Sequence, residues 1–223
     1  VVDKNYDSKV KRTKYRPIAA KKVSVKEGLS LSMILCLIAF IVLIQFNNLT
    51  ILLALASMPL AFTYPYLKRF TYWPQLYLGI TFNYGLVLGW TSVRGEIDLI
   101  PLIFYFGAIF WTLGYDTIYG YQDIKDDEII GLKSTSIKFK NSPKLFLILC
   151  YLITISSFYL TGYMMDYSIY FYIFLLLPFY HLIFYQIKTL DIKNENICLR
   201  LFKSNNFFGL LILIGVLIGN LTT

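Results

Sequence analysis

Charged residues are scarce in this chain. Only 15% of its 223 residues are Asp, Glu, Lys or Arg, whereas 57% are hydrophobic. A water-soluble domain carries about 25% charged residues, so the composition excludes an ordinary soluble globular protein. Histidine occurs once, at His181, and the three cysteines (Cys36, Cys150 and Cys198) lie far apart in apolar stretches. The cysteines lack the spacing of metal ligands and are interpreted as free thiols of membrane helices.

The first 27 residues also lack the apolar stretch of a signal peptide. The strict apolar and polar alternation of membrane β-strands is missing as well, and only helices or closed barrels satisfy their backbone in lipid. The sequence therefore predicts an all-α, polytopic integral membrane bundle. A membrane span needs about 20 apolar residues. Seven stretches meet or approach that length, at 28–47, 49–67, 73–93, 99–118, 144–162, 167–187 and 205–222.

Positive charge is concentrated in alternate loops and accounts for the net charge of +8. Except for Arg94 and Lys144, every Lys and Arg lies in every second connection, namely in 1–27, 68–72, 119–143 and 188–204. The positive-inside rule predicts that these loops and the N-terminus are cytoplasmic and that the C-terminus lies on the opposite side. The many Ile, Lys, Asn and Tyr residues are typical of an AT-rich bacterial genome. The bacterial inner membrane is therefore expected, with the mitochondrial inner membrane as the alternative.

Acidic residues cluster in one of these loops. The stretch "GYDTIYGYQDIKDDEIIGLKST", residues 114–135, holds four Asp and one Glu. Asp123 and Asp127 are four residues apart and therefore share one face of a helix, and Asp116 lies seven residues earlier on nearly the same face. Carboxylates this close repel one another and favour a bound cation. Mg²⁺ is expected, because it is usually held by one or two carboxylates together with substrate phosphates.

A second acidic pair lies in the N-terminal segment "VVDKNYDSKVKRTKYRPIAA". Asp3 and Asp7 are again four residues apart. Basic residues follow them closely, at Lys9, Lys11, Arg12, Lys14 and Arg16. Two carboxylate pairs beside cations on one predicted side of the membrane suit a diphosphate held by Mg²⁺, with Arg and Lys neutralising the phosphate charge. For either pair alone, the alternative is a solvated loop that only sets topology.

These stretches resemble the UbiA family of membrane prenyltransferases. "YDTIYGYQDIKDDEIIGLKST" is similar to the family's second Asp-rich motif, in the form found in members that act on 4-hydroxybenzoate in ubiquinone biosynthesis. "DKNYDSKVKRTKYRPIA" resembles the end of the first motif. "YPYLKRFTYWPQLYLG" and "FKSNNFFG" resemble two further family segments in the same order. The resemblance covers the whole chain and implies a single prenyltransferase domain over 1–223, the last seven helices of a nine-helix fold.

The resemblance also implies a reaction. Mg²⁺ and basic side chains would stabilise the diphosphate that leaves a polyprenyl diphosphate. The ring carbon ortho to the hydroxyl of 4-hydroxybenzoate would attack the allylic cation in a dry, aromatic-lined chamber. Candidates for that lining are Tyr64, Tyr66, Phe82, Tyr115 and Tyr119.

Individual roles are carried over by motif position. The Mg²⁺ and diphosphate ligands would be Asp3, Asp7, Asp123 and Asp127. Asp116 would be a supporting acid, and the residues that meet the diphosphate would be Arg12, Arg16 and Lys133. Lys68 and Arg69 end a span, where snorkelling of long cationic side chains is the alternative interpretation. The resemblance makes Arg69 the partner of the acceptor's carboxylate, which a planar guanidinium fits. Asn83 is a candidate site residue because it is polar within a span.

The family's first motif opens with Asn-Asp, which would stand just before Val1, and the first two helices of the fold are expected upstream. Residues 1–223 alone are therefore expected to have little activity, and an inactive remnant is one alternative. Another is a family member with a different acceptor. A membrane transporter is the alternative from a different class, but it would show broken helices or polar residues in mid-span. The signature of CDP-alcohol phosphotransferases is missing.

Overall fold

A computed structural model describes residues 1–8 and 13–221, and all regular secondary structure among them is helical. A 3-10 helix, Tyr64–Arg69, extends α3, and a π-helix, His181–Gln186, connects α9 to α10. In chain order the α-helices are α1 (Lys4–Asp7), α2 (Val25–Leu43), α3 (Asn48–Thr63), α4 (Pro74–Arg94), α5 (Leu99–Gly120), α6 (Ile124–Ile129), α7 (Thr135–Lys138), α8 (Pro143–Met164), α9 (Ile169–Tyr180), α10 (Ile187–Thr189) and α11 (Glu195–Leu221).

Each of the seven predicted spans coincides with one long helical stretch, which confirms the all-helical membrane bundle. Among the described residues, six of these stretches are long and apolar enough to cross a membrane: Val25–Leu43, Asn48–Arg69, Leu99–Gly120, Pro143–Met164, Ile169–Thr189 and Glu195–Leu221. The seventh, α4, is 21 residues long but more polar, with buried Gln75, Asn83 and Thr91. The count of seven spans is therefore approximate, although the count of long helices matches the prediction.

Local sequence explains where these helices begin and end. Ser24 caps α2 through a capping box, in which its Oγ accepts from Glu27 N at 3.2 Å and Glu27 Oε2 accepts from Ser24 N at 2.7 Å. Proline stands at the start of α4 and of α8, where its missing N–H leaves no helical bond unmade. Gly95 ends α4 with a φ of 74°, a left-handed conformation that glycine adopts without a steric penalty.

Helix α5 is the centre of the bundle. It packs against α4 on one side, against α8 on another and also against α11. Large side chains from these helices are almost fully buried around it, among them Leu113, Ile118, Leu147, Tyr151 and Phe208. Because α5 ends at the second Asp-rich motif, this packing fixes the position of the acidic residues relative to three other helices.

A buried polar chain crosses this core. Tyr151 Oη donates to Gln186 Oε1 at 2.6 Å, and Gln186 Nε2 donates to Asn205 Oδ1 at 3.1 Å. Asn205 Oδ1 also accepts from Trp111 Nε1 at 2.8 Å. These hydrogen bonds thus connect α8, the π-helix, α11 and α5. Each of the polar groups obtains a partner inside an otherwise apolar bundle.

Two glycines of α4 allow a matched test of this packing. A Cβ at Gly79 would lie 2.7 Å from Ile109 O, whereas a Cβ at Gly89 would meet nothing within 4 Å. Gly79→Ala should lower stability by about 1–3 kcal/mol because the backbones of α4 and α5 must move apart. Gly89→Ala should leave stability unchanged or raise it by up to about 1 kcal/mol through helix propensity. Thermal unfolding of both variants in detergent tests this prediction, and equal melting temperatures would contradict it.

Candidate active site

A cavity of about 240 Å³ lies at the end of the bundle where both acidic motifs are found. We call this end the motif end. Nine of the residues predicted from the sequence line the cavity: Asp7, Arg16, Tyr64, Lys68, Asp116, Tyr119, Asp123, Asp127 and Lys133. They come from the N-terminal segment, the end of α3, the end of α5 and the loop that follows α5. The fold therefore brings together three regions that are far apart in the sequence, namely the N-terminal segment, the end of α3, and the end of α5 with its following loop.

The first acidic pair has the helical geometry expected from its spacing. Asp7 N donates to Asp3 O at 2.7 Å, as in one turn of α-helix. Arg16 Nη1 contacts both carboxylate oxygens of Asp7, at 3.0 and 3.1 Å. The hydroxyl of buried Thr13 donates to Asp7 O at 3.0 Å. These contacts hold the basic segment after the motif against its own carboxylate.

Asp3 lies beside the cavity and faces the end of α3. Lys68 Nζ is 3.6 Å from Asp3 Oδ2, and Arg69 Nη2 is 3.4 Å from Asp3 Oδ1. Arg69 also lies over the ring of Tyr66, with its Cζ 5.2 Å from the ring centroid. Lys68 lines the cavity, but Asp3 and Arg69 do not. The structure therefore places Arg69 at the rim, next to the first motif, with its guanidinium directed at a carboxylate.

The second acidic pair repeats the geometry of the first. Asp123 precedes α6, and Asp127 N donates to Asp123 O at 2.8 Å. Asp116, one turn before the end of α5, lines the same cavity. Lys133 lies across from them, where its backbone N donates to Lys68 O at 2.8 Å and its Nζ donates to Phe70 O at 3.3 Å. Carboxylates from two motifs therefore face the same small space as three cations.

A belt of buried polar residues supports this cavity from below. Thr135 N donates to Gln75 Oε1 at 3.0 Å, and the hydroxyls of Thr117 and Thr135 are 2.6 Å apart. Ser136 Oγ donates to Thr117 O at 2.8 Å. Gln75, Ser134 and Thr13 line the cavity, yet sequence reasoning missed them. A single uncharged polar residue at a membrane boundary has no repeat or charge pattern to mark it.

The donor set suits a metal shared with a substrate. Among the described residues, no three His, Cys, Asp or Glu side chains form a cluster that could hold a metal ion by themselves. The lining nevertheless offers the carboxylates of Asp7, Asp116, Asp123 and Asp127 together with cations. Mg²⁺ usually takes one or two carboxylates and completes its shell with phosphate and water oxygens. The residues present therefore fit Mg²⁺ bound together with a phosphate ligand.

Some predicted residues lie elsewhere. Asn83 is buried between α4 and α5, where its Nδ2 donates to Gly79 O (2.9 Å), Ala108 O (3.2 Å) and Thr112 Oγ1 (2.7 Å). The amide thus joins two helices, and Asn83 does not line the cavity. Phe82 and Tyr66 are 66% and 44% exposed, so they do not form an enclosed aromatic lining. Lys9, Lys11 and Arg12 lie outside the described residues.

An aromatic stripe runs from the cavity along α5 into the bundle. Tyr119 lines the cavity, and Tyr115 and Trp111 follow it at intervals of one helical turn. Phe202 of α11 packs on this stripe, 4.4 Å from the ring centroid of Tyr119 and 5.7 Å from that of Tyr115. Phe208 lies 4.8 Å from the ring centroid of Trp111. The charged cavity therefore adjoins an apolar, aromatic interior.

Comparison with known proteins explains this combination of features. The model of the UbiA prenyltransferase family matches residues 1–212. The chain belongs to the UbiA prenyltransferase family. The fold agrees, because the apo structure of a UbiA homologue from Aeropyrum pernix K1 superposes with a TM-score of 0.82 at 21% identity, over 97% of this chain and 81% of that one.

Two curated relatives are more similar to this UbiA family member in sequence. Mitochondrial 4-hydroxybenzoate polyprenyltransferase of Bos taurus is 43% identical over 98% of this chain. 4-Hydroxybenzoate geranyltransferase 2 of Lithospermum erythrorhizon is 39% identical, also over 98% of the chain. The chain spans 59% of the length of the bovine relative and 72% of that of the plant relative.

The shared cavity requires that the N-terminal segment and the loop after α5 face the same side of the membrane. Exposed Lys22 and Asn141 belong to these two regions, whereas exposed Glu96 lies between α4 and α5 at the other end of the bundle. Single cysteines at these positions, in a background where exposed Cys36 is serine, should react with an impermeant maleimide from one side at 22 and 141 and from the opposite side at 96. Opposite-side labelling of 22 and 141 would contradict a shared site.

Proposed function

We propose that this protein is a Mg²⁺-dependent prenyltransferase that transfers a polyprenyl group to 4-hydroxybenzoate. The product carries the prenyl group on the ring carbon ortho to the hydroxyl, as required in ubiquinone biosynthesis. The proposal places the motif end on the cytoplasmic face of a bacterial inner membrane. What supports it most directly is the cavity, because carboxylates of both Asp-rich motifs line it together with Arg16, Lys68 and Lys133.

The arrangement of charge fits the departure of diphosphate. When the allylic C–O bond breaks, both bonding electrons stay on the diphosphate oxygen, and the negative charge there increases. Arg16, Lys68 and Lys133 line the space in which that charge develops and would stabilise it more than the ground state, which lowers the barrier. Mg²⁺ held by Asp7, Asp123 and Asp127 would supply further charge neutralisation for the leaving group.

The aromatic stripe suits the other product of bond cleavage. Tyr119 and Tyr115 are the rings nearest the cavity, and aromatic faces attract a cation. The surrounding apolar core keeps water away from a carbocation that water would otherwise capture. The ring carbon of the acceptor then forms a C–C bond to the allylic carbon and loses its proton, which restores aromaticity. The names of the relatives, which act on 4-hydroxybenzoate, support this acceptor.

Adjacent acids of α6 provide a test of the metal ligands. Asp127 lines the cavity, whereas Asp126 lines only an adjoining depression of about 930 Å³, which shares Asp123 with the cavity. In the complete protein, Asp127→Asn should lower kcat for Mg²⁺-dependent prenyl transfer about 100-fold or more, because one charged ligand is lost from the leaving-group site. Asp126→Asn carries the same change of charge and should stay within about 3-fold of the parent. Similar activities of the two variants would sink the ligand assignment.

Lys68 and Arg69 provide a crossed test of substrate roles. Lys68 lines the cavity and should meet the diphosphate, so Lys68→Gln should raise KM for the prenyl diphosphate about 10-fold. Arg69 is at the rim and its guanidinium already faces a carboxylate, that of Asp3. Arg69→Gln should therefore raise KM for 4-hydroxybenzoate about 10-fold, with a smaller effect on the prenyl diphosphate. Steady-state kinetics with each substrate varied in turn measure both values, and the same pattern in the two variants would refute separate roles.

A further inference from the structure

Gln75 is a buried polar residue of the cavity that the mechanism above does not use. It is the second residue of α4, is only 7% exposed and lines the cavity together with Pro74 and Gly120. Its position at a helix start would by itself explain a polar residue. The oxygen and the nitrogen of its carboxamide, however, have different surroundings.

The orientation of this carboxamide is fixed by chemistry. Thr135 N donates to Gln75 Oε1 at 3.0 Å. Only the oxygen of a side-chain carboxamide can accept a hydrogen bond from a backbone N–H. The Nε2 amine therefore points away from Thr135. A Cβ added to Gly120 would come within 3.5 Å of it, so the amine lies over a glycine that also lines the cavity. Among the hydrogen bonds of the described residues, none uses this Nε2 as a donor.

The anchor behind Gln75 is rigid. Thr135 is fully buried, and its hydroxyl is 2.6 Å from that of Thr117 on α5. Ser136, also fully buried, donates to Thr117 O at 2.8 Å. Because α4, α5 and α7 are all connected through these bonds, the side chain of Gln75 is held in one place. A donor held in this way needs little further ordering when it binds a ligand.

The surroundings of the amine favour an anion. Gln75 lies in the first turn of the 21-residue helix α4, where unpaired N–H groups and the helix dipole attract negative charge. Lys68 and Lys133 line the same cavity. The carboxylates that would hold a metal come from other segments, namely the N-terminal segment, the end of α5 and α6. Gln75 therefore adds an uncharged donor to a cavity that also holds two lysines.

We propose that Gln75 is a substrate-binding residue whose Nε2–H donates to a phosphate oxygen of the prenyl diphosphate while its Oε1 is held by Thr135. This inference rests on the proposed function, since that function supplies the diphosphate. The competing explanation is that Gln75 only supports the loop before α7 through Thr135.

Gln75→Glu separates the two explanations. Glutamate keeps an oxygen for Thr135 N but replaces the amine with an anionic oxygen that repels phosphate. Gln122→Glu is the matched control. Gln122 is next to Asp123 in the sequence, and it lines the larger depression but not the cavity. Its Nε2 donates to Tyr119 O at 3.0 Å, so the same chemical change is made at a residue with a local partner.

The measurement is calorimetric binding of inorganic diphosphate in the presence of Mg²⁺, with the full protein in lipid nanodiscs at pH 8. Gln75→Glu should weaken binding at least 10-fold, and Gln122→Glu should change it less than about 3-fold. If the parent protein binds diphosphate and Gln75→Glu binds it equally well, the role of Gln75 is refuted while the proposed function stands. If the parent protein itself does not bind diphosphate, the proposed function fails and the inference fails with it.

A second measurement follows ligand binding in the parent protein and uses a variant only to assign the signal. The chain has four glutamines, Gln45, Gln75, Gln122 and Gln186. In the parent protein labelled with ¹⁵N at glutamine side chains, Mg²⁺ and diphosphate should shift one NH₂ signal strongly. That signal should be the one absent from the spectrum of Gln75→Met. An unshifted Gln75 signal at saturating diphosphate would overturn the proposal.

Discussion

Repulsion among carboxylates is the constraint on which the motif end of this protein depends. Four Asp side chains line a cavity of about 240 Å³, and like charges that close favour neither ionisation nor folding unless cations accompany them. The chain supplies cations to the acids of the first motif both from the same segment and from a distant one. Arg16 contacts Asp7, and both Lys68 and Arg69 contact Asp3. These ion pairs thus hold together the same acidic and basic groups that a bound metal and a bound phosphate would contact instead.

The apolar pattern of the sequence predicted the bundle well, because a backbone in lipid has few ways to satisfy its hydrogen bonds. The predicted helix boundaries differ from the structure where a helix carries charged or polar residues. The sequence predicts the last span at 205–222, but α11 begins at Glu195, since its first turns are helical although polar. The loop at 119–143 contains α6 and α7, which are too short and too polar to carry a periodic signal.

The site was predictable where charge and spacing repeat. Asp123 and Asp127 share one helical turn, as their spacing indicates, and line the cavity. Single polar residues were not predictable in the same way. Asn83 is predicted as a site residue because it is polar within a span, yet its Nδ2 donates only to groups of α4 and α5. Gln75 was not marked at all, although it lines the cavity, because one amide beside a proline carries no pattern.

Helix α2 is the least buried of the long helices in the described chain. None of its 19 residues is buried against the rest of the described chain. At 1.5 Å per residue it is about 28 Å long, close to the ~30 Å hydrocarbon thickness of a bilayer. A thinner or thicker membrane is therefore matched by tilting α2 or by deforming the lipid around it. Because α2 directly follows the N-terminal segment, its depth in the bilayer also sets the depth of the segment in which Arg16 contacts Asp7.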